Sequence, residues 1–492
     1  MKTNQPFHVK RSYRNAVLLS IALISMAMHY RHFSKELVSI HVWRQTQTQS
    51  TIINFYEGDM NIFNPQRNDR GSGDGVFRME FPLMQWIVAA TYRVFGNHLV
   101  ITRIWMFVIG LFSIAGIYRL LSSLFRNETI ALAGAWAFNF SPCFFYYTIN
   151  PLPDNLALCC STWGLALFFT WIRNGKYSNL ILGSLFMGIG ALCKLPFILY
   201  FLAPLTWLLM EWHKNGISRS LAVKKLVVAL CVIPPLVWYA LVVPQWDAKG
   251  IVKGMSGNEV SWATVLEYLQ FNVVSTLPEL LLNYGSLLFF LAGFWFLVKN
   301  RACKNSLFPL LAATGAGIIG YFLFELNMIA SVHDYYLFPF LPFLFILVAY
   351  GAYSMLNMPN KYTRYFAIFL LLILPLTAYL RMQVRWNVDS PGFNKDLLIY
   401  KDELRRAVPE NALCVAGNDE SHYIYFYYLD KKGWGFDHDA LAAADLEKMI
   451  KQGAGYLYSD SRVIDGNQEI AGYLDRLILE KGSVRLYKLK KK

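Results

Sequence analysis

Apolar stretches long enough to cross a lipid bilayer recur along most of the chain, and this recurrence limits the fold more than any other feature. A transmembrane helix needs roughly 20 apolar residues. On that criterion about eleven spans can be drawn, near 15–31, 101–123, 130–148, 155–172, 179–193, 196–211, 226–244, 281–298, 306–325, 337–355 and 364–381. Backbone groups in hydrocarbon must be satisfied internally, so these spans predict a mostly α, polytopic membrane protein. With 55% hydrophobic and only 16% charged residues in 492, an ordinary soluble protein is excluded.

The charges set a topology. Lys10, Arg11 and Arg14 precede the first span, and no small-x-small cleavage site follows it, so an uncleaved helix is expected. Alternate connections then carry Arg126; Arg173 and Lys176; Lys214, Arg219, Lys224 and Lys225; Lys299, Arg301 and Lys304; Lys361 and Arg364. Short cytoplasmic loops collect Lys and Arg, which predicts a cytoplasmic N-terminus and an outer first loop at 32–100. The net charge of +14 is thereby explained by topology, and no aromatic-interleaved basic stripe points to nucleic acid. Five of the seven cysteines sit in apolar runs; Cys303 lies in a basic loop and Cys414 in the tail, with no disulfide or zinc pattern.

After Arg385 the pattern shortens, and 17 of the 32 acidic residues lie beyond Trp386, marking a second, polar region. Helix-like segments at 394–407, 440–452 and 467–479 alternate with strand-like runs at 411–416, 455–459 and 483–489. This predicts a small extracytoplasmic α/β domain at 385–492 beside a membrane body at 1–384. Within the first outer loop, Phe81 to Phe95 reads as an interfacial helix with Trp86 and Tyr92 at headgroup level, and Asn68 to Gly75 as a mobile loop.

Of the 15 acidic residues before Trp386, 13 fall on the outer side, so a catalytic carboxylate is expected there. Five outer clusters carry suitable chemistry. His41-Val-Trp-Arg44-Gln45 offers an imidazole, a guanidinium fork for phosphate and an amide, or else an interfacial loop with a snorkelling Arg. Glu80 precedes an apolar, Pro-started helix, where a carboxylate needs a partner or a wet cavity, or serves the helix dipole. Asp154 reads as a helix N-cap, or as a group positioning the first loop. Lys194, at a break between closely spaced helices, suits a lipid phosphate or snorkels. The turn His333-Asp334-Tyr335-Tyr336 crowds polar and aromatic groups at a helix start, as ligand contacts or as an aromatic belt with a capping Asp.

In order and topology these pieces resemble the protein O-mannosyltransferase-like branch of the GT-C glycosyltransferases, which includes the lipid A aminoarabinose transferase. The resemblance covers about residues 15–380. It is carried by Trp43 to Pro65 with Tyr56-Glu-Gly-Asp-Met60, Glu80-Phe-Pro-Leu83, Phe95-Gly96, Arg103, Pro153-Asp154, Lys194-Leu-Pro196 and His333-Asp-Tyr-Tyr336. It implies an inverting transferase acting at the outer face of a membrane, here a bacterial inner membrane. Its donor would be a polyprenyl-phosphate-linked sugar and its acceptor a glycan, lipid or protein. The family's first outer loop usually presents an Asp, often in an Asp-Glu pair; counting back from Gly58-Asp59, this chain has Trp43-Arg44 there. His41 or Glu80 is then expected as the base, with Asp69 or Asp74 as further candidates. Arg44, Lys194, His333 and Tyr335 are expected at phosphate or sugar, beside Gln45, Asp154, Asp334 and Tyr336. No cofactor is required by this chemistry, since the leaving group is already a phosphate monoester; a divalent metal would assist without being compulsory. A transporter of a lipid-linked solute and a catalytically silent relative are the alternatives. The near absence of ionisable residues in mid-span disfavours the first, and the missing acidic pair keeps the second open.

Overall fold

The computed structural model describes residues 11–71, 73–216, 218–246, 250–258, 260–300, 306–331 and 333–490; Lys10, Arg301, Cys303 and Lys304 lie outside them. The chain forms two compact units. One comprises Met1–Ser34, Met79–Phe81 and Arg103–Val384, the other Lys35–Arg78, Pro82–Thr102 and Arg385–Lys492.

The first unit is a helical bundle. Among the described residues, six helices are long and apolar enough to cross a membrane: Leu99–Phe125, Pro153–Asn174, Leu195–Asn215, Arg219–Gln245, Asp334–Leu356 and Lys361–Trp386. A seventh span arises if Trp262–Leu281 and Gly285–Lys299, bent by 109°, count as one. Along Arg219–Gln245 the side chains of Leu230, Leu236, Val237 and Leu241 are exposed, as lipid contact requires and water would penalise. The predicted span at 130–148 is broken into Glu128–Asn139 and Pro142–Tyr147, because Pro142 lacks the amide that would continue the helix.

Packing inside the bundle depends on small residues. A Cβ added to Gly351 would lie 1.8 Å from the Phe289 carbonyl oxygen, and one added to Gly293 would lie 2.0 Å from that of Leu347. The helices Gly285–Lys299 and Leu341–Leu356 therefore touch backbone to backbone. Where helices break, side chains answer the freed carbonyls. Pro375 cannot donate to Leu371, and the indole of Trp136 hydrogen-bonds that oxygen instead, at 2.8 Å. At the 109° bend, buried Asn283 adopts φ +48° and its amide donates to the carbonyls of Phe140 and Leu374 at 3.0 and 2.9 Å.

The second unit is built on a five-stranded sheet: β1 (Leu413–Gly417), β2 (Lys432–Gly435), β3 (Tyr456–Ser459), β4 (Leu474–Lys481) and β5 (Val484–Leu489), in the order β2-β1-β3-β5-β4. The pairs β1–β2 and β1–β3 are parallel, β3–β5 and β4–β5 antiparallel. Strands expected at 411–416, 455–459 and 483–489 are present. The helix expected at 467–479 covers only Gln468–Ala471, and the remainder is β4, whose hairpin turn at Gly482 allows pairing with β5. Two further expectations are corrected. Within the segment 68–75 expected to be mobile, residues 68–71 are docked onto the edge of β2: Arg70 N donates to Gly433 O, Gly433 N to Asn68 O, and the Trp434 indole to Gly71 O, at 2.7, 3.0 and 3.0 Å. Tyr92 is fully buried, its hydroxyl shared with Gln49 and Thr102 at 2.8 and 2.6 Å, so it takes no headgroup position.

Replacing Gly351 by Ala should lower the unfolding midpoint of the detergent-solubilised protein by several degrees, since overpacking costs about 1–3 kcal/mol. The same change at Gly315, where a Cβ meets nothing within 4 Å, should leave the midpoint unchanged or slightly raised. Equal shifts in differential scanning fluorimetry would refute the tight contact.

Candidate functional site in the helical unit

The site starts from a hydrogen-bonded knot. Arg103, fully buried, donates to the Ile149 carbonyl at 3.2 Å and to Asn150 Oδ1 at 2.7 Å. Asn150 in turn donates to Tyr146 O, and Asn155 to the carbonyls of Tyr147 and Asn150, at 2.8, 2.9 and 3.0 Å. This satisfies the carbonyls of a non-helical turn and fixes the start of Pro153–Asn174. Asp154 sits in that helix's first turn, where the dipole favours a carboxylate. It is not the N-cap, which is Leu152.

Lys194 ends the helix Tyr177–Cys193, in an extended conformation that precedes Leu195-Pro196. Its Nζ lies 3.7 Å from Asp154 Oδ1, with the carboxylate side chain only 1% exposed. The same ammonium stands over the rings of Tyr336 and Tyr335, at 4.9 and 5.5 Å from their centroids. Cation–π attraction and a carboxylate thus hold a half-buried charge in place.

The 333–336 turn is folded inward. His333 is buried, its ring 4.6 Å from that of Tyr336, and Tyr335 Oη lies 3.3 Å from its Nδ1. The hydroxyl of Tyr147 donates to Asp334 Oδ1 at 2.6 Å.

Glu80 is placed by its neighbours. Phe81 N donates to Leu192 O at 3.0 Å, the Trp238 indole to Met79 O at 3.1 Å, and the rings of Phe81 and Trp238 meet edge to face at 5.0 Å. With both flanking residues pinned, Glu80, 8% exposed, lines a cleft of about 90 Å³ with Lys194, Tyr239, Tyr321, Glu325 and Tyr336. That is room for about three waters, the scale of a headgroup phosphate. Glu325 and Tyr321 were not singled out in the sequence. Glu325 sits at the C-terminal end of an apolar helix, four residues after Tyr321; that helical spacing is the signal that would have found the pair. Among the described residues, buried Glu325 Oε2 and Tyr321 Oη have no hydrogen-bond partner, an arrangement that favours a polar ligand.

Glu80, Asp154, Lys194 and the 333–336 turn therefore belong to one unit, and His41, Arg44 and Gln45 to the other. There His41 occupies the left-handed position before the helix Val42–Glu57. Arg44, buried, donates to the Gln47 amide oxygen, and Gln45 donates to Ile40 O at 2.9 Å. Asp69 pairs with Arg67 at 3.5 Å and accepts from Gly435 N at 3.3 Å, while Asp74 accepts from Val76 N at 3.1 Å. Among the described residues no group of three or more His, Cys, Asp or Glu is arranged to hold a metal ion.

Residues 80–238 match the dolichyl-phosphate-mannose-protein mannosyltransferase family. No curated protein matches the sequence significantly. Among solved structures, ArnT from Cupriavidus metallidurans is similar over 97% of both chains with a TM-score of 0.64, at 12% identity in the apo state and 14% when bound to undecaprenyl phosphate. The apo oligosaccharyltransferase of Archaeoglobus fulgidus is similar at 11% identity and a TM-score of 0.60, over 92% of this chain and 70% of that one. The two comparisons point the same way: residues 80–238 are similar to a mannosyltransferase family, and nearly the whole chain has the fold of ArnT. This chain is an integral membrane protein with that fold.

Removing one partner of the Lys194–Asp154 pair leaves the other charge buried. A thermal-stability cycle of Lys194→Met, Asp154→Asn and the double variant should give a coupling above about 1 kcal/mol. Strictly additive effects would mean that the two groups do not hold one another.

Proposed function

We propose that this protein moves a sugar from a polyprenyl-phosphate carrier to a hydroxyl acceptor on a glycan, lipid or protein, with inversion at the anomeric carbon. The observation that carries the reading is the gathering of Glu80, Lys194 and Tyr336 around one cleft. The fold match to a structure bound to undecaprenyl phosphate supports the class of donor.

In this reading the lipid phosphate lies against Lys194, whose ammonium is held ready by Asp154 and the tyrosine faces. Glu80 takes the proton of the acceptor hydroxyl as its oxygen attacks the anomeric carbon. The bond from that carbon to the phosphate oxygen breaks, and its electron pair leaves on the phosphate, whose growing charge Lys194 offsets. Glu325 and Tyr321 offer hydrogen bonds to sugar hydroxyls. His333 orients Tyr335 and Tyr336 beneath the ammonium, and Tyr147 anchors the turn through Asp334. Within the second unit, His41 is the alternative base, with Arg44 and Gln45 as its own phosphate or sugar contacts. The two shorter apolar helices, Tyr177–Cys193 and Phe308–Phe324, together with the first and the broken spans, complete about eleven crossings. The N-terminus is cytoplasmic, and residues 385–492 stand outside a bacterial inner membrane as an α/β domain that assists acceptor binding or stability.

Purified protein given a polyprenyl-phosphate sugar and candidate acceptors should release polyprenyl phosphate. Glu80→Gln should slow turnover by at least about a hundredfold with carrier binding retained, whereas Lys194→Ala should weaken carrier binding at least about tenfold. If Glu80→Gln and His41→Ala each leave the rate unchanged, neither is the base.

A further inference from the structure

The helix Val42–Glu57 is unusual in burying polar side chains along most of its length. Its Ser50, Ile53, Asn54 and Glu57 recur at helical spacing and form one face. Within the second unit that face lines a cavity of about 520 Å³ with the segment 410–413 and the turn 427–432. The volume is that of a small-ligand pocket.

The lining limits the occupant. Three carboxyl groups (Glu57, Glu410, Asp430) face two ammonium groups (Lys431, Lys432), so the balance is acidic and disfavours a phosphate or other polyanion. The amide nitrogen of Asn54 is spent on Gln66 O and Asn68 Oδ1, at 3.1 and 2.8 Å, which leaves the Asn54 oxygen to accept; Asn68 and Asn411 add amide donors, and Tyr427 adds an aromatic ring. Amides and carboxylates side by side match the vicinal hydroxyls of a sugar, which also donate and accept in pairs. A second observation points the same way. Ser50 is 2% exposed, and among the described residues its hydroxyl has no hydrogen-bond partner. A buried polar group left in that state costs stability, and a ligand able to reach it would recover the loss.

We propose that this cavity is a saccharide-binding site, for a neutral or amino-bearing unit of about disaccharide size, additional to the cleft around Glu80. An amino group would lie near Glu57, whose carboxyl is pushed above its ordinary range by burial and then by the neighbouring Asp430 charge, with Lys432 opposing and Glu410 adding. Binding there needs no transfer chemistry, so it stands or falls separately from the proposed reaction.

The test uses full-length protein in nanodiscs, titrated with a neutral N-acetylglucosamine disaccharide, a glucosamine disaccharide and a digalacturonate, and followed by calorimetry and saturation-transfer NMR. At least one of the first two should bind, the digalacturonate should not, and Glu410→Ala and Asn411→Ala, both at exposed positions, should each weaken binding at least about tenfold. The site is refuted if neither of the first two binds, if the digalacturonate binds equally well, or if both variants bind as the parent does. Circular dichroism of the variants separates lost binding from lost folding.

Discussion

A carbonyl released from a helix inside hydrocarbon has no water to accept, and the architecture of the bundle follows from how each such oxygen is answered. Trp136 answers Leu371 beside Pro375, Asn283 answers Phe140 at the break before Pro142 and ties it to Leu374, and Arg103 with Asn150 and Asn155 answers the turn before Pro153. Each donor comes from a segment distant in sequence or from across a turn. The breaks are therefore fixed points of the bundle. They are also where backbone turns can present side chains to a ligand, and Asp154 and Lys194 stand at two of them.

Much of the helical unit was legible because hydrophobic length is a strong signal. Each expected span coincides with a helix or a pair of helices, and among the described residues six of these helices, or seven spans with the bent pair, are long and apolar enough to cross a membrane. What escaped was geometry set by partners: the break at Pro142, and the 109° bend at Asn283. In the second unit, β1, β3 and β5 were readable from their apolar alternation. β2, with two glycines in Lys-Gly-Trp-Gly, and β4, with charges interleaved, were not. Strands of that composition exist because a neighbour pairs with them, which sequence periodicity does not record.

The residue types lining the candidate cleft were legible in the sequence; their arrangement was not. Lys194 and Glu80 were singled out because a charge beside an apolar span needs a reason, and Tyr336 because it belongs to a crowded polar and aromatic turn. The pairing of Lys194 with Asp154 could not be read, since 40 residues and a full helical hairpin separate them. Glu325 looked like the outer end of a span; only the surrounding Tyr321 and Tyr239 give it a ligand-facing reading.

The docked segment 68–71 has one more effect. A strand such as β2, left with its outer amides and carbonyls open, would offer a template to any extended peptide, including another copy of the chain. Asn68 and Arg70 occupy that hydrogen-bonding row from within the same molecule. At the far end of the sheet, β4 defends itself differently: its pairing with β5 slips twice, and Asp475, Arg476, Glu480 and Lys481 place charges along it. The unit thus covers both edges of its sheet against strand addition, and without residues 68–71 the outer row of β2 would be open to another chain.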